Sequence, residues 1–263
     1  MKVDSIVAVI TGGASGIGKA IAMDLAKQGA RIVLGDLNKE ALEQGVKTIK
    51  DAGGEAVFEL CDVTKDENVS ALMDKAVETY GSINVVVPCA GIIQDGLLIS
   101  TDRETGKVKK SMTTDQFRKV IDINLTGTFI TLREAAIRMV NNGYKGVLFT
   151  ISSIQKAGGV GQLNYSSTKS ALAMWPKLLV GEFQMKNIKD IRVVSIAPGY
   201  VGTPMVKGMN QKALDSILSQ VHLGRLIEPK EIADTIRYVI TNEAINATCI
   251  EVTGGTISGM IAK

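Results

Sequence analysis

Tyr165 and Lys169 stand four residues apart in the segment Tyr165-Ser166-Ser167-Thr168-Lys169, a spacing that sets a phenol and an ammonium on one face of a helix. A phenol with an ordinary pKa of about 10 exchanges protons poorly near neutrality. A neighbouring cation stabilises the phenolate and lowers that value, so the two groups can work as an acid-base unit. A lone string of this kind is common by chance, and an exposed pair without consequence is its ordinary reading. Its company gives it weight: a glycine-rich turn after the first strand, Ser152-Ser153 ending a later strand, and Asn124 in the helical pattern that precedes it. His222 is the only histidine, which leaves room for one histidine-based assembly and none for a multi-histidine metal site. Cys61, Cys89 and Cys249 lack Cys-x-x-Cys spacing and read as reduced thiols, so no metal is expected. Proton chemistry then falls to Tyr, Lys, Ser or carboxylates.

The glycine-rich turn is Thr11-Gly12-Gly13-Ala14-Ser15-Gly16-Ile17-Gly18, with a strand before it and a helix opening inside it. Gly12, Gly16 and Gly18 let the backbone turn tightly and approach a pyrophosphate, held by amides at the helix start together with Ser15 and Ile17. A tight connection without ligand is the plain alternative. The second strand shifts the balance because it ends in Gly35-Asp36, where a carboxylate can accept bonds from an adenosine ribose and repel a 2′-phosphate. Leu37 and Asn38 follow Asp36, and no Arg or Lys interrupts Ala14-Ser15, so charge favours NAD(H) over NADP(H). The alternative for Asp36 is an N-cap for the helix starting near Lys39. Asp62-Val63, ending the third strand, could meet an adenine edge or serve as a simple turn.

These groups must be held by repeated βαβ units. Strand patterns cover Ser5–Ile10, Arg31–Gly35, Glu55–Leu60, Ile83–Val87, Gly146–Ile151, Ile191–Ile196 and Thr248–Val252. Most are continuously apolar, as strands buried on both faces are. Helical patterns alternate with them at Gly16–Gln28, Lys39–Ala52, Glu67–Tyr80, Thr114–Val140, Tyr165–Lys186 and Pro229–Thr241. With 263 residues, 45% apolar and 22% charged, the chain is an ordinary folded protein. No composition shift divides it, so residues 1–263 are read as one domain. Its net charge of +3, with signs interspersed, gives no reason to expect nucleic acid. No apolar run approaches the roughly 20 residues of a membrane helix, and the start carries no signal-peptide pattern, so a cytoplasmic enzyme or binding protein is expected, a catalytically silent dinucleotide sensor being the lesser alternative.

Taken together these segments resemble the short-chain dehydrogenase/reductase family over essentially the whole chain. The resemblance rests on TGGASGIG at 11–18, Asp62, CAG at 89–91, NLTG at 124–127, ISS at 151–153, YSSTK at 165–169 and PGYVGTPM at 198–205. It implies an α/β Rossmann fold, a doubly wound seven-stranded parallel sheet with helices on both faces. It also implies roles. Tyr165 is general acid/base, Ser153 hydrogen-bonds the substrate oxygen, Lys169 binds the nicotinamide ribose and polarises the tyrosine, and Asn124 holds a water of the proton relay. Ala90-Gly91 pass their backbone close to the cofactor, and Pro198-Gly199, Val201 and Thr203 meet the nicotinamide end. The serine has two solutions. The usual interval of thirteen residues back from the tyrosine selects Ser152, while counting along the strand from Gly146 selects Ser153, which is preferred because strand register is rigid and a loop can lose a residue. Cys89 replaces the usual asparagine, so a side-chain hydrogen bond that steadies the sheet is expected to be missing.

Asp95-Gly96-Leu97-Leu98, the run 217–233 and EVTGG at 251–255 look most like 3-oxoacyl-[acyl-carrier-protein] reductases. This points to a 3-oxoacyl thioester or a similar ketone; a secondary alcohol oxidised in catabolism is the alternative. The likeness also implies a homotetramer packed through the Thr114–Val140 and Tyr165–Lys186 helices. Relative to compact family members, Ser100–Ser111 is an insertion. It could narrow the entrance or meet a partner through Lys107, Lys109 and Lys110, but a solvated hairpin is the preferred reading. A substrate lid is expected at about 203–225, lined by Met205, Met209 and Leu218, with His222 packing nearby. Pro176 predicts a kink after Lys169.

Overall fold

A computed structural model of the chain describes residues 1–208 and 210–256. The strands are β1 (Val7–Thr11), β2 (Arg31–Asp36), β3 (Glu55–Leu60), β4 (Val85–Pro88), β5 (Ile99–Thr101), β6 (Val108–Ser111), β7 (Gly146–Ile151), β8 (Ile191–Pro198) and β9 (Thr248–Val252). The helices are α1 (Gly16–Lys27), α2 (Lys39–Asp51), α3 (Asp66–Tyr80), α4 (Thr114–Ile121), α5 (Gly127–Asn142), α6 (Leu163–Met185), α7 (Pro204–Lys207), α8 (Gln211–Leu218) and α9 (Pro229–Thr241). Seven strands form one parallel sheet in the order β3-β2-β1-β4-β7-β8-β9, the Rossmann arrangement expected from the sequence.

The continuous apolar runs are explained by cover on both faces. In β1, Ala8 and Ile10 enter a core with Ile21 and Leu25 of α1, Leu42 of α2 and Ile236 of α9. The alternate Val7 and Val9 enter a second core with Leu72 of α3, Met139 of α5 and, at its edge, Trp175 of α6. Both faces therefore contribute hydrophobic burial. The strand order reverses between β1 and β4, and it is outside the C-terminal ends of strands at such a switch point that ligands bind in open α/β sheets.

Several expectations change in detail. The first strand starts at Val7, because Val3–Ser5 form a 3-10 turn. The helix expected at Thr114–Val140 is two helices joined by a π-helical turn, Asp122–Thr126. Residues 99–111 form the antiparallel hairpin β5-β6, which among the described residues pairs with no other strand. Finally, α6 begins two residues before Tyr165 and carries Pro176 inside it. Proline cannot donate to the carbonyl of Leu172, one turn earlier, and the buried hydroxyl of Thr150 in β7 donates to that oxygen instead at 2.7 Å. The helix is thereby repaired from the sheet.

Candidate active site

The glycine turn after β1 fits its place only without side chains. A Cβ on Gly12, whose φ is +62°, would lie 2.6 Å from the Ala90 amide nitrogen, and one on Gly18 would lie 2.3 Å from the Gly12 carbonyl oxygen. Gly16 has φ +52° and faces Thr203 across open space, where a Cβ would come within 3.5 Å of its methyl group. The turn thus borders a cavity of about 460 Å³ at the switch point, and α1 begins on its wall with Ser15 as the N-cap residue. No side chain caps that helix end, so its leading amides are left for an anion.

Asp36 holds the far edge of this cavity. Its carboxylate accepts hydrogen bonds from the amides of Ala14 at 3.2 Å, Leu37 at 2.8 Å and Asn38 at 3.2 Å. It does not cap α2; Asn38 does, accepting from Ala41. Asp62 accepts from the Thr64 amide and hydroxyl, and these bonds hold its carboxyl below the usual range. Of the residues expected to hold a dinucleotide, Gly12, Ser15, Gly16, Ile17, Gly18, Asp36, Leu37, Asp62, Val63, Ala90, Gly91 and Thr203 line the cavity. Tyr165, Lys169, Pro198, Gly199 and Val201 do not. Val201 is buried, in a bridge with Ile227, and Gly199 packs against the Thr253 backbone. Cys61, Cys89, Ile92, Ile123 and Pro204 also line the cavity, and their types gave no chemical signal in the sequence.

Asn124 is buried in the π turn. Its side chain accepts from the Ile92 amide at 2.8 Å and donates to the Ile92 carbonyl at 2.9 Å, which fastens the loop after β4. Such turns insert an extra residue into a helix and recur at functional sites.

The two serines separate cleanly. Ser152 Oγ is buried and donates to the Lys169 carbonyl at 2.6 Å, whereas Ser153 Oγ accepts from the Gln155 amide at 3.2 Å and lies near enough to the Tyr165 phenol to favour its ionised form. Lys169 Nζ lies 5.3 Å from the Tyr165 ring centroid and donates to the Ile151 carbonyl at 2.8 Å. Burial pushes the Lys169 ammonium down to about 8. The Tyr165 phenol is pushed above its ordinary value, first by burial and then by the charge of Asp95, against the lowering effect of Ser153. In this state, desolvation outweighs the expected lowering by the lysine, whose own charge is disfavoured by the same burial.

Cys89 joins this group to the cavity: it lines the cavity wall, and its thiol, pushed up to about 12 by burial, feels the Lys169 charge. Beside it Thr11 Oγ1 is buried without a hydrogen-bond partner, a gap in the place where the asparagine-to-cysteine change was expected to remove a bond. A bracing residue absent from the sequence reading is Asn164. It is fully buried, donates to the Gln94 carbonyl at 3.0 Å and accepts from the Tyr165 amide at 2.8 Å. His222 is exposed and stacks its Cβ near Gly255. The Met205 side chain and the whole of Met209 lie outside the described residues.

Residues 6–214 match the family model for short chain dehydrogenases. The chain belongs to this family. Its relatives include the (3R)-3-hydroxyacyl-CoA dehydrogenase of Homo sapiens, 32% identical, with 97% of this chain and 96% of that protein covered. The 3-oxoacyl-[acyl-carrier-protein] reductase FabG of Thermotoga maritima is 31% identical over 98% of this short-chain dehydrogenase and all of its own length. Among solved structures, a 7α-hydroxysteroid dehydrogenase complexed with NADH and 7-oxo glycochenodeoxycholic acid superposes with a TM-score of 0.86 at 28% identity, covering 97% of this short-chain dehydrogenase and 96% of that chain.

Proposed function

We propose that the protein is an NAD(H)-dependent oxidoreductase that interconverts a ketone and a secondary alcohol, acting on a 3-oxoacyl thioester. The carrying observation is the contact of Ser153 with the Tyr165 phenol, with Lys169 one helical turn on and adjacent to the cavity wall at Cys89. When bound, the dinucleotide supplies or takes up the hydride. Ser153 and Tyr165 give the reacting oxygen two donors, so negative charge developing there is stabilised, and Tyr165 passes it the proton. Lys169 holds the nicotinamide ribose and, recharged by those polar contacts, favours the phenolate that must be reprotonated. Asn124, fixed on Ile92, continues the relay through water.

The cofactor is held by Gly12, Ser15 to Gly18, Asp62, Val63, Ala90 and Gly91 along the groove, with Pro198, Gly199, Val201 and Thr203 at the nicotinamide end. The choice of NAD(H) is supported by Asp36, whose carboxylate three amides fix at the cavity edge, suited to ribose hydroxyls and hostile to a 2′-phosphate. The thioester is supported by relatives named for 3-hydroxyacyl-CoA and 3-oxoacyl carrier substrates. Asp36 also favours a second reading, the reverse reaction: a catabolic oxidation of a secondary alcohol with NAD. Residues 203–225 serve as the substrate lid. The half-exposed apolar side chains Phe129, Met174 and Leu178 of α5 and α6 support association into a homotetramer. A cytoplasmic setting is supported by the three free cysteines.

Oxidation of NADH and NADPH is the test, measured with acetoacetyl thioesters beside simple cyclic and aliphatic ketones. Turnover of the thioester with NADH is expected. Activity on free ketones and alcohols alone selects the second reading, and faster NADPH use overturns the cofactor assignment.

A further inference from the structure

Asp95 takes no part in the proton chemistry above, yet it stands beside it. Its Oδ2 accepts from Gln162 Nε2 at 2.9 Å, and Gln162 is the residue that opens α6, three positions before Tyr165. The two segments are laced together. The Gly96 amide donates to the Gly161 carbonyl at 2.7 Å, and Gln116 Nε2 donates to the carbonyls of Gln94 at 3.1 Å and Asp95 at 3.0 Å. The Gln162 amide turns its N–H to Asp95 and leaves its own Oε1 buried without a partner, an orientation that serves an ionised carboxylate. Among the described residues no Lys or Arg forms an ion pair with Asp95, even though Lys110 shares a hollow of about 210 Å³ with Gly96 and Leu97 next to it. Asp95, an exposed carboxylate, is thereby held at the opening of α6, three residues before Tyr165.

We propose that Asp95 is a specificity-determining residue that turns anionic carbonyl compounds away from Ser153 and Tyr165 and admits neutral ones, so that the protein takes 3-oxoacyl groups as esters or thioesters and refuses the free 3-oxo acids. The inference rests on the ketone-reductase reading and refines its substrate. In a free 3-oxo acid the carboxylate carbon is two bonds from the ketone carbon, which keeps its charge within roughly 5 Å of the reacting oxygen. The Tyr165 phenol already senses the Asp95 charge, and Gln162 holds that carboxylate at the start of the helix carrying Tyr165, so a substrate carboxylate bound beside the phenol meets the same charge. Without it, the donors Ser153 and Tyr165 would hold a carboxylate at least as well as a ketone, in an unproductive complex. Esterification removes the charge and the penalty together.

The experiment compares acetoacetate with methyl acetoacetate on the wild type, Asp95→Asn and Asp95→Glu. Two quantities are measured: kcat/KM for NADH oxidation, and affinity for the NADH complex from quenching of cofactor fluorescence. The wild type is expected to prefer the ester. Asp95→Asn, which keeps an oxygen for Gln162, should narrow that preference about tenfold by improving acetoacetate, while Asp95→Glu should retain it. The hairpin lysines are the same in all three proteins and cancel in the comparison. A preference that Asp95→Asn leaves unchanged overturns the inference even if turnover is brisk. The expected shift in affinities without any turnover upholds Asp95 and removes the reductase reading, and failure of the NADH complex to bind either compound overturns both.

Discussion

Lys169 is the residue whose setting is most at odds with its ordinary chemistry. Buried and bonded to one carbonyl, its ammonium is held near 8 in the cofactor-free fold, below the 10.5 of a free lysine. Between those values the unfolded chain keeps a proton that the folded chain has shed, so stability rises with pH across that window. The lowered value means the stabilisation is absent below about 8 and grows toward 10.5. Urea unfolding of the wild type against Lys169→Met should show this rise in the difference between the two proteins; a flat difference would contradict the burial argument. At Tyr165, replacement by Phe should cut turnover by roughly 10²–10⁴ and leave NADH affinity nearly intact. The serines give a sharper contrast. Ser153→Ala should lower kcat, whereas Ser152→Ala, which strips a bond from the Lys169 carbonyl, should cost about 1 kcal/mol of stability with much smaller effect on kcat, as paired kinetics and denaturation will read. That the two serines have different partners follows from strand alternation, since neighbours on a strand point to opposite faces, but which of them meets Tyr165 was left open by two counts that disagree. The reach of Asp95 toward Tyr165 was not legible, because the bridge from Gly96 to Gln162 joins segments far apart in the chain.

At the scale of elements, the inner sheet strands were legible because cover on both faces makes them continuously apolar, the edge strands β3 and β9 from their β-branched and aromatic residues, and the glycine turn because only glycine fits it. The π turn was not. The helical period runs through Thr114–Val140 without a break, and one extra residue in a turn leaves no mark in composition. Nor was the rescue of α6, since Pro176 signals a lost bond while its replacement comes from Thr150 in another element. That compensation makes a double-mutant cycle informative. Thr150→Val should destabilise by about 1–3 kcal/mol by stranding the buried Leu172 carbonyl, and the cost should shrink in a Pro176→Ala background, where the restored amide serves that oxygen. Equal costs in both backgrounds would mean the hydroxyl does not substitute for the amide.

For the molecule as a whole, one apolar surface left partly uncovered is the outer face of α5 and α6. Phe129, Leu178 and Met174 are half exposed there, and Phe129 and Leu178 edge a hollow of about 430 Å³ shared with Leu132 and Trp175. If subunits pack on this face, Leu178→Glu should reduce the mass seen by light scattering while the monomer keeps its fold by circular dichroism. An unchanged mass would assign the contact elsewhere. The hairpin β5-β6 gives the opposite expectation. Because it pairs with no strand of the main sheet, replacing residues 100–110 by two glycines should move the unfolding temperature by less than about 3 °C.

The hairpin and the π turn are therefore constrained very unequally. Rewinding 122–126 as a regular α-helix with every residue kept would swing everything after it by about 100° around its axis, taking either the Asn124 amide off Ile92 or Met139 out of the core. Helical phase at that point couples the fastening of the loop after β4 to packing, so evolution can vary the hairpin residue by residue but must inherit this one irregular turn whole.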